Sequence, residues 1–149
     1  MKCQHLMSRS DKMSAISISY QGSGKALKGN IDLPASKSIS NRLLLIRALS
    51  EEPFSITNLS EAGDTQILAR ALSSLQATSD TQTVNVEDAG TAFRFMTAML
   101  ACRKEGQYIL SGSRRMHQRP IGELVKALRL LGAEIQYLEV ERFPPLQII

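Results

Sequence analysis

Three stretches of this 149-residue chain gather side chains that bind anions. "ASKSISNR" puts Lys37, Ser38 and Arg42 at the mouth of an apolar helix. "EDAGTAFR" offers Asp88, Gly90, Thr91 and Arg94 at the mouth of a second. "SGSRRMHQRPIGEL" packs Arg114, Arg115, His117 and Arg119 before Pro120. A helix N-terminus presents unpaired N–H groups and the positive end of the macrodipole, so it draws negative charge. Lys37 and Arg42 can reach a phosphate and a carboxylate, and Ser38 can donate a hydroxyl. Gly90 lets a ligand come close to the backbone. Arg119, extended before Pro120 in a helix's first turn, suits bidentate recognition of carboxylate or phosphate. Each stretch also has a plain reading: Ser38 or Ser40 as a cap, a Gly turn capped by Asp88 or Thr91, and a solvated charge run. Two things weigh against the plain readings. Arg42 heads a helix with no polar face, and two equivalent helices open in the same way. His117 reads as loop decoration. There is no nucleophile–base pair, metal-ligand spacing or Walker loop. The chemistry implied is binding of small, multiply anionic molecules.

The elements that must position these groups come in a doubled order. "AISISY" and "GNIDLP" alternate as strands. A helix over Ser40–Leu49 is apolar almost all round and should be buried. "FSITNLS" reads as a strand, then "DTQILARALSSLQA" as an amphipathic helix with Asp64 as N-cap after Gly63. The order returns with "TVNV", the apolar helix "GTAFRFMTAMLACR", the strand "QYILSG", the amphipathic "IGELVKALRLLGA" with Gly132 as its stop, and the strand "EIQYLEVE". Arg42 and Arg94 stand 52 residues apart on the two apolar helices, and Leu72 and Leu128 stand 56 apart on the amphipathic pair. The fold class is therefore α/β, built from a repeated αβ unit over 34–86 and 87–149, after a loose tail (1–13) and a strand segment (14–33). "FPPLQII" breaks at Pro144 and Pro145 and then begins a new apolar run, which reads as the amino-terminal piece of something longer.

Composition narrows the class. Hydrophobic residues make up 43% and charged ones 21%, an ordinary globular balance. A net charge of +4 with 5% aromatics and no Trp is too mild, and too poor in stacking groups, for a nucleic-acid binder. Cys3 and Cys102 lie far apart, and Cys102 reads as a small core residue, which points to a reducing, cytoplasmic setting. The N-terminus lacks the apolar stretch of a secretory signal, and no run approaches the roughly 18 residues of a membrane span.

"LPASKSISNR", "DAGTAFR" and "RMHQRPIGELVKALRLLGA", in this order, resemble the amino-terminal portion of the 5-enolpyruvylshikimate-3-phosphate synthase family, the target of glyphosate. The resemblance runs from about Gly29 to the end. It implies an inside-out globe with helices within and sheets outside, of which this chain holds two of three units. Residues 14–33 would pair with a second, C-terminal globe. It also implies transfer of the enolpyruvyl group from phosphoenolpyruvate to the 5-hydroxyl of shikimate 3-phosphate, with release of phosphate. No cofactor, metal, nucleic acid or membrane takes part, and the whole enzyme is expected to be a monomer. Lys37 matches a lysine that touches both substrates, and Ser38 and Arg42 match a pair that holds shikimate 3-phosphate. Gly90 and Arg119 match phosphoenolpyruvate contacts, with Asp88, Thr91 and Arg94 nearby. Asp64 lies in the family's acidic helix-start motif. Departures are Asp88 for Asn, Phe95 for Pro and His117 for Lys. A carboxylate at 88 is unfavourable beside anions unless Arg94 or another cation neutralises it. The family's acid/base residues match nothing in this chain, so inactivity of the chain alone is expected. Alternatives are the sister enzyme that transfers enolpyruvate to UDP-N-acetylglucosamine, and a non-catalytic anion-binding fragment. The first places a reactive Cys where this chain has Arg114.

Overall fold

The computed structural model describes residues 19, 29–30, 32–52, 54–75, 80–103 and 106–149. It divides into two units, Met1–Asp32 and Leu33–Ile149. The expected tail (1–13) lies outside the described residues, as does all of "AISISY" but Ser19. The described residues of "GNIDLP" are irregular and form no strand.

The second unit packs around one helix. Its elements are α1 (Lys37–Leu49), α2 (Gly63–Ser73), β1 (Thr81–Asn85), α3 (Gly90–Ala101), β2 (Gln107–Ser111), a 3₁₀ turn (Met116–Gln118), α4 (Gly122–Leu130), β3 (Ile135–Tyr137) and β4 (Leu146–Ile148). α3 buries Ala92, Phe93, Met96, Thr97, Met99 and Leu100. Thr97, the polar member of this set, donates its hydroxyl to the Phe93 carbonyl at 2.8 Å and so enters the core without an orphaned group. β1 and β2 run parallel, as strands joined through a helix do, with Thr81 opposite Gln107 and Asn85 opposite Ser111. β4 inserts antiparallel between β2 and β3, giving the order β1-β2-β4-β3. Val84, Tyr108, Leu110, Ile135, Leu146 and Ile148 point inward, while Thr81, Thr83 and Asn85 face solvent. Period-2 alternation thus gives the sheet one face against the helices and one face to water.

α4 stops where the sequence predicts. Gly132 has φ +98°, its N–H reaches the Arg129 carbonyl (3.0 Å), and the Ala133 N–H reaches Leu128 (3.1 Å). This pair of bonds is the Schellman closure, which favours glycine in the left-handed position. Pro120 falls before α4 rather than in its first turn, because Ile121 takes the N-cap position.

Several expectations need correction. α1 begins at Lys37, three residues early, and its N-cap is Ser36, whose Oγ accepts from the Ile39 N–H (3.4 Å). Neither Ser38 nor Ser40 caps it. α1 is also not buried all round: Leu44 is 2% exposed, but Ile46 is 54% and Leu49 60%. Displaced by 52 residues, the first turns of the two helices agree. Ser40, Asn41 and Leu44 are buried like Ala92, Phe93 and Met96, and Arg42 and Arg94 are exposed. Beyond that point they part. β2 and β4 cover α3, whereas α1 packs mainly on α2 and α3. "FSITNLS" is irregular, with Asn58 at φ +55°, because β1 is the edge of the sheet and no described strand lies beyond it. Asp64 is not an N-cap: Ala62 holds that position without a side-chain bond, and Asp64 sits in the first turn of α2. Cys102 is exposed at the C-cap of α3, where the helix ends, rather than in the core. Cys3 lies outside the described residues.

Candidate anion site

At the mouth of α1, Lys37 is the first helical residue, and its Nζ lies 2.7 Å from Asp64 Oδ2. Both side chains are well exposed, so the pair contributes about 1 kcal/mol or less and an incoming dianion can compete with it. One turn on, Arg42 Nη1 donates to the Ser38 carbonyl at 3.0 Å and to the Ser38 hydroxyl. Lys37, Ser38 and Arg42 thus share one exposed helix end, with a guanidinium and an ammonium beside the N-terminus that Ser36 caps.

The mouth of α3 is assembled from two loops. Asn85 Oδ1 accepts the Glu87 N–H (2.8 Å), and Glu87 takes φ +49°, which turns the chain sharply from β1 into α3. Arg70 on α2 pairs with Glu87 at 2.8 Å and ties the turn to its neighbour. Ala89 stands at the N-cap with no side-chain bond, so neither Asp88 nor Thr91 caps this helix. The second loop leaves β2. The Ser113 N–H donates to the Glu87 carbonyl (3.0 Å), and its hydroxyl donates to Asp88 Oδ1. Ser113 Oγ also accepts the Met116 N–H (3.3 Å), which starts the 3₁₀ turn. That turn delivers Arg119, extended at φ −97° and ψ 122°, back to α3. Its Nη1 makes a long 3.4 Å contact with the Asp88 carbonyl. A Cβ built on Gly90 would lie 2.5 Å from the same nitrogen. The guanidinium therefore occupies space that only glycine leaves free.

The structure brings Asp88, Gly90 and Arg119 together, as it does Lys37, Ser38 and Arg42. No hydrogen bond among the described residues joins the two groups. Thr91 and Arg94 are exposed on α3; Arg94 lies one turn after Gly90 and makes no ion pair among the described residues. The Asp88 carboxylate is held by the Ser113 hydroxyl rather than by Arg94. Arg114 and Arg115 are exposed, and of the arginines in that run Arg119 alone contacts the α3 mouth among the described residues. His117 is more than loop decoration: Nε2 lies 3.0 Å from Ser111 Oγ, and Nδ1 lies 3.6 Å from Glu139. Sequence reasoning missed Ser113, Ser36 and Glu139. Ser113 had one local signal, a small hydroxyl residue just after a strand and a glycine.

A concavity of about 410 Å³ lies elsewhere, between α4 and the segment 137–142. Both of its arginines are engaged within the protein. Arg142 pairs with Glu123, and Arg129 donates to the Ile135 carbonyl (2.9 Å) while standing 5.0 Å from the centre of the Tyr137 ring. Burial pushes the Tyr137 phenol up, against the pull of Arg129. None of the anion-seeking residues lines it. Among the described residues, no helix is long and apolar enough to cross a membrane, and no group of three or more His, Cys, Asp or Glu could hold a metal.

Layered helices under a mixed sheet, with cationic groups gathered at two helix mouths, define an α/β protein suited to phosphate- and carboxylate-bearing ligands. Residues 22–149 match the family model of EPSP synthase (3-phosphoshikimate 1-carboxyvinyltransferase). A 3-phosphoshikimate 1-carboxyvinyltransferase of Bacteroides fragilis strain YCH46 is 48% identical over 122 residues, covering 82% of this chain and 28% of that protein. One of Vibrio campbellii is 40% identical over 144 residues, covering 83% and 34%. The solved EPSP synthase of Acinetobacter baumannii superposes with a TM-score of 0.72 at 23% identity, over 80% of this chain and 31% of that one. The chain belongs to the EPSP synthase family. It spans 28–34% of the length of these curated relatives.

Proposed function

We propose that this chain supplies one wall of the site at which an enolpyruvyl group passes from phosphoenolpyruvate to the 5-hydroxyl of shikimate 3-phosphate. In that reaction a new C–O bond forms at the enol carbon and the C–O bond to phosphate breaks. Both substrates are anions, so the site must hold two phosphates and two carboxylates against their mutual repulsion. Ser38 and Arg42 bind shikimate 3-phosphate, Lys37 touches both substrates, and Gly90 and Arg119 hold phosphoenolpyruvate beside Asp88, Thr91 and Arg94. The observation that carries the reading is Arg119 lying over Gly90 at an N-terminus with no side-chain cap. The reading also takes residues 14–33 as a strand segment for another globe and 34–149 as two of three units of this one. It takes the whole protein as a cytoplasmic monomer that needs no cofactor.

Calorimetric titration of shikimate 3-phosphate, repeated with Arg42→Ala, tests it. Losing a charge-assisted contact worth about 1.5–3 kcal/mol should weaken binding roughly 10- to 100-fold. An unchanged Kd would remove Arg42 from the site. Gly90→Ala tests the second group. The new methyl meets the far end of a flexible side chain, so the fold should keep its stability to within about 1 kcal/mol. Arg119 must swing aside, and phosphoenolpyruvate affinity, measured with shikimate 3-phosphate present, should fall about tenfold. Full retention of that affinity would separate Gly90 and Arg119 from phosphoenolpyruvate.

A further inference from the structure

The ring of His117 is engaged on both edges, and none of the proposed substrate contacts uses it. Its side chain is only 26% exposed. Nε2 lies 3.0 Å from Ser111 Oγ at the end of β2, and Nδ1 lies 3.6 Å from Glu139 Oε2 between β3 and β4. A carboxylate only accepts, so the neutral ring carries its proton on Nδ1, and Nε2 accepts the Ser111 hydroxyl. A hydroxyl can also accept, so the Ser111 contact survives protonation of the ring. One rigid ring thus joins the last residue of β2 to the β3–β4 connection.

The short piece of chain held in this way is the one that delivers Arg119. His117 stands in the 3₁₀ turn, two residues before Arg119. Ile121, two residues after it, donates its N–H to the Arg142 carbonyl at 2.9 Å. Arg119 is therefore bracketed by two ties to the β3–β4 connection, one made by a side chain and one by main chain. That connection is itself closed, since the Leu138 N–H donates to the Pro145 carbonyl at 3.0 Å. Between the two ties the Arg119 N–H donates to the Met116 carbonyl (2.9 Å), and the guanidinium reaches the Asp88 carbonyl and the space over Gly90. A guanidinium on a long, rotatable side chain aims only as well as its Cα is fixed.

We infer that His117 is a positioning residue. Through Ser111 and Glu139 it fixes the turn from which Arg119 reaches the mouth of α3, and so sets the affinity for the anion held there. That this anion is phosphoenolpyruvate rests on the proposed function; the hold on Arg119 does not.

A double-mutant cycle of His117→Ala and Arg119→Ala, read in two ways on the full chain, decides the matter. The first readout is calorimetric affinity for phosphoenolpyruvate with shikimate 3-phosphate present. His117→Ala should weaken it about two- to tenfold, and should weaken it no further once Arg119→Ala is in place. Affinity for shikimate 3-phosphate alone should hold, because Lys37, Ser38 and Arg42 lie on α1. Additive losses, or equal losses for both substrates, would overturn the positioning role. The second readout needs no ligand: the amide NMR signals of Ala89 and Gly90, which the Arg119 guanidinium adjoins. His117→Ala should move them toward their positions in Arg119→Ala, and unmoved signals would overturn the hold on Arg119. Ser111→Ala and Glu139→Ala each cut one contact and should give intermediate shifts; they decide the matter should His117→Ala not fold. His117→Gln, which places a nitrogen near the position of Nε2, should recover the part of the effect that runs through Ser111. If the unaltered chain does not bind phosphoenolpyruvate, the substrate reading fails while the amide signals still decide whether His117 holds Arg119.

Discussion

Replacing Phe93 with alanine is expected to lower the stability of the chain by about 3–5 kcal/mol, a large part of what an ordinary domain possesses. Phe93 is 1% exposed in α3, the helix that packs against α1, α2, α4 and the sheet. Its ring belongs to the core that also holds Leu44, Leu68, Met96 and Leu110. Truncation removes the transfer energy of the ring and leaves a cavity that helices on several sides cannot all collapse to fill. Urea unfolding followed by far-UV circular dichroism measures it. The midpoint should fall with little change in slope, since nearly the same surface is exposed on unfolding. A loss under about 1 kcal/mol would mean that α3 is not the centre of the packing. Phe93→Leu, which keeps much of the volume, should recover most of the difference.

The sequence made α3 legible because its apolar residues surround it and because a strand of matching polarity stands on each side. Gly132 was legible because a helix stop with a left-handed residue has few chemical solutions. The same logic overstated α1. Leu43, Leu44, Leu45, Ile46 and Leu49 state what the helix can bury, not what lies against it, and only one side is covered by α2 and α3. "FSITNLS" alternates as a strand should, yet alternation does not supply a neighbouring strand, and pairing is a long-range fact. Three serines stand at 36, 38 and 40, each chemically able to cap α1. Which one does so depends on where the first turn begins, and Ser40 is drawn away by the Ser60 N–H.

The candidate site divides in the same way. Gly90, Arg42 and Lys37 announced themselves because helix mouths favour such residues within a few positions. How Arg119 reaches Gly90, 29 residues earlier in the chain, was hidden. That contact runs through Ser113, which bonds the Glu87 carbonyl with its N–H and Asp88 with its hydroxyl. Asp88 accepts the Ser113 hydroxyl and helps hold the two loops together, a bond that an asparagine oxygen would accept as well, and Arg94, the cation expected to neutralise it, makes no ion pair with it among the described residues.

Gly112 is where fold and site are one problem. A Cβ built on it would lie 2.5 Å from the Glu87 carbonyl oxygen and 2.8 Å from Met116 Cβ. Neither atom is the free end of a flexible chain: the first is backbone in a tight turn, the second the root of a buried side chain. Gly112→Ala must therefore push the 86–88 turn away from the loop that leaves β2. The Ser113–Glu87 bond and the Ser113–Asp88 bond stretch together. Overpacking of this kind takes about 1–3 kcal/mol, and a clash with main chain belongs at the upper end or beyond. Arg119 is carried by that loop, so it recedes from Gly90 in the same movement. The expected result is a joint loss: a stability lower by about 3 kcal/mol, read as a lower urea midpoint, and at least a tenfold weaker affinity for phosphoenolpyruvate. Gly90→Ala, by contrast, should weaken affinity while leaving the midpoint nearly in place. Measured side by side, the two variants separate a clash with a side-chain tip from a clash with the scaffold. If Gly112→Ala lowers stability yet leaves affinity intact, Arg119 is positioned by something other than the Ser113 bonds, and the route from β2 to the α3 mouth described above is wrong.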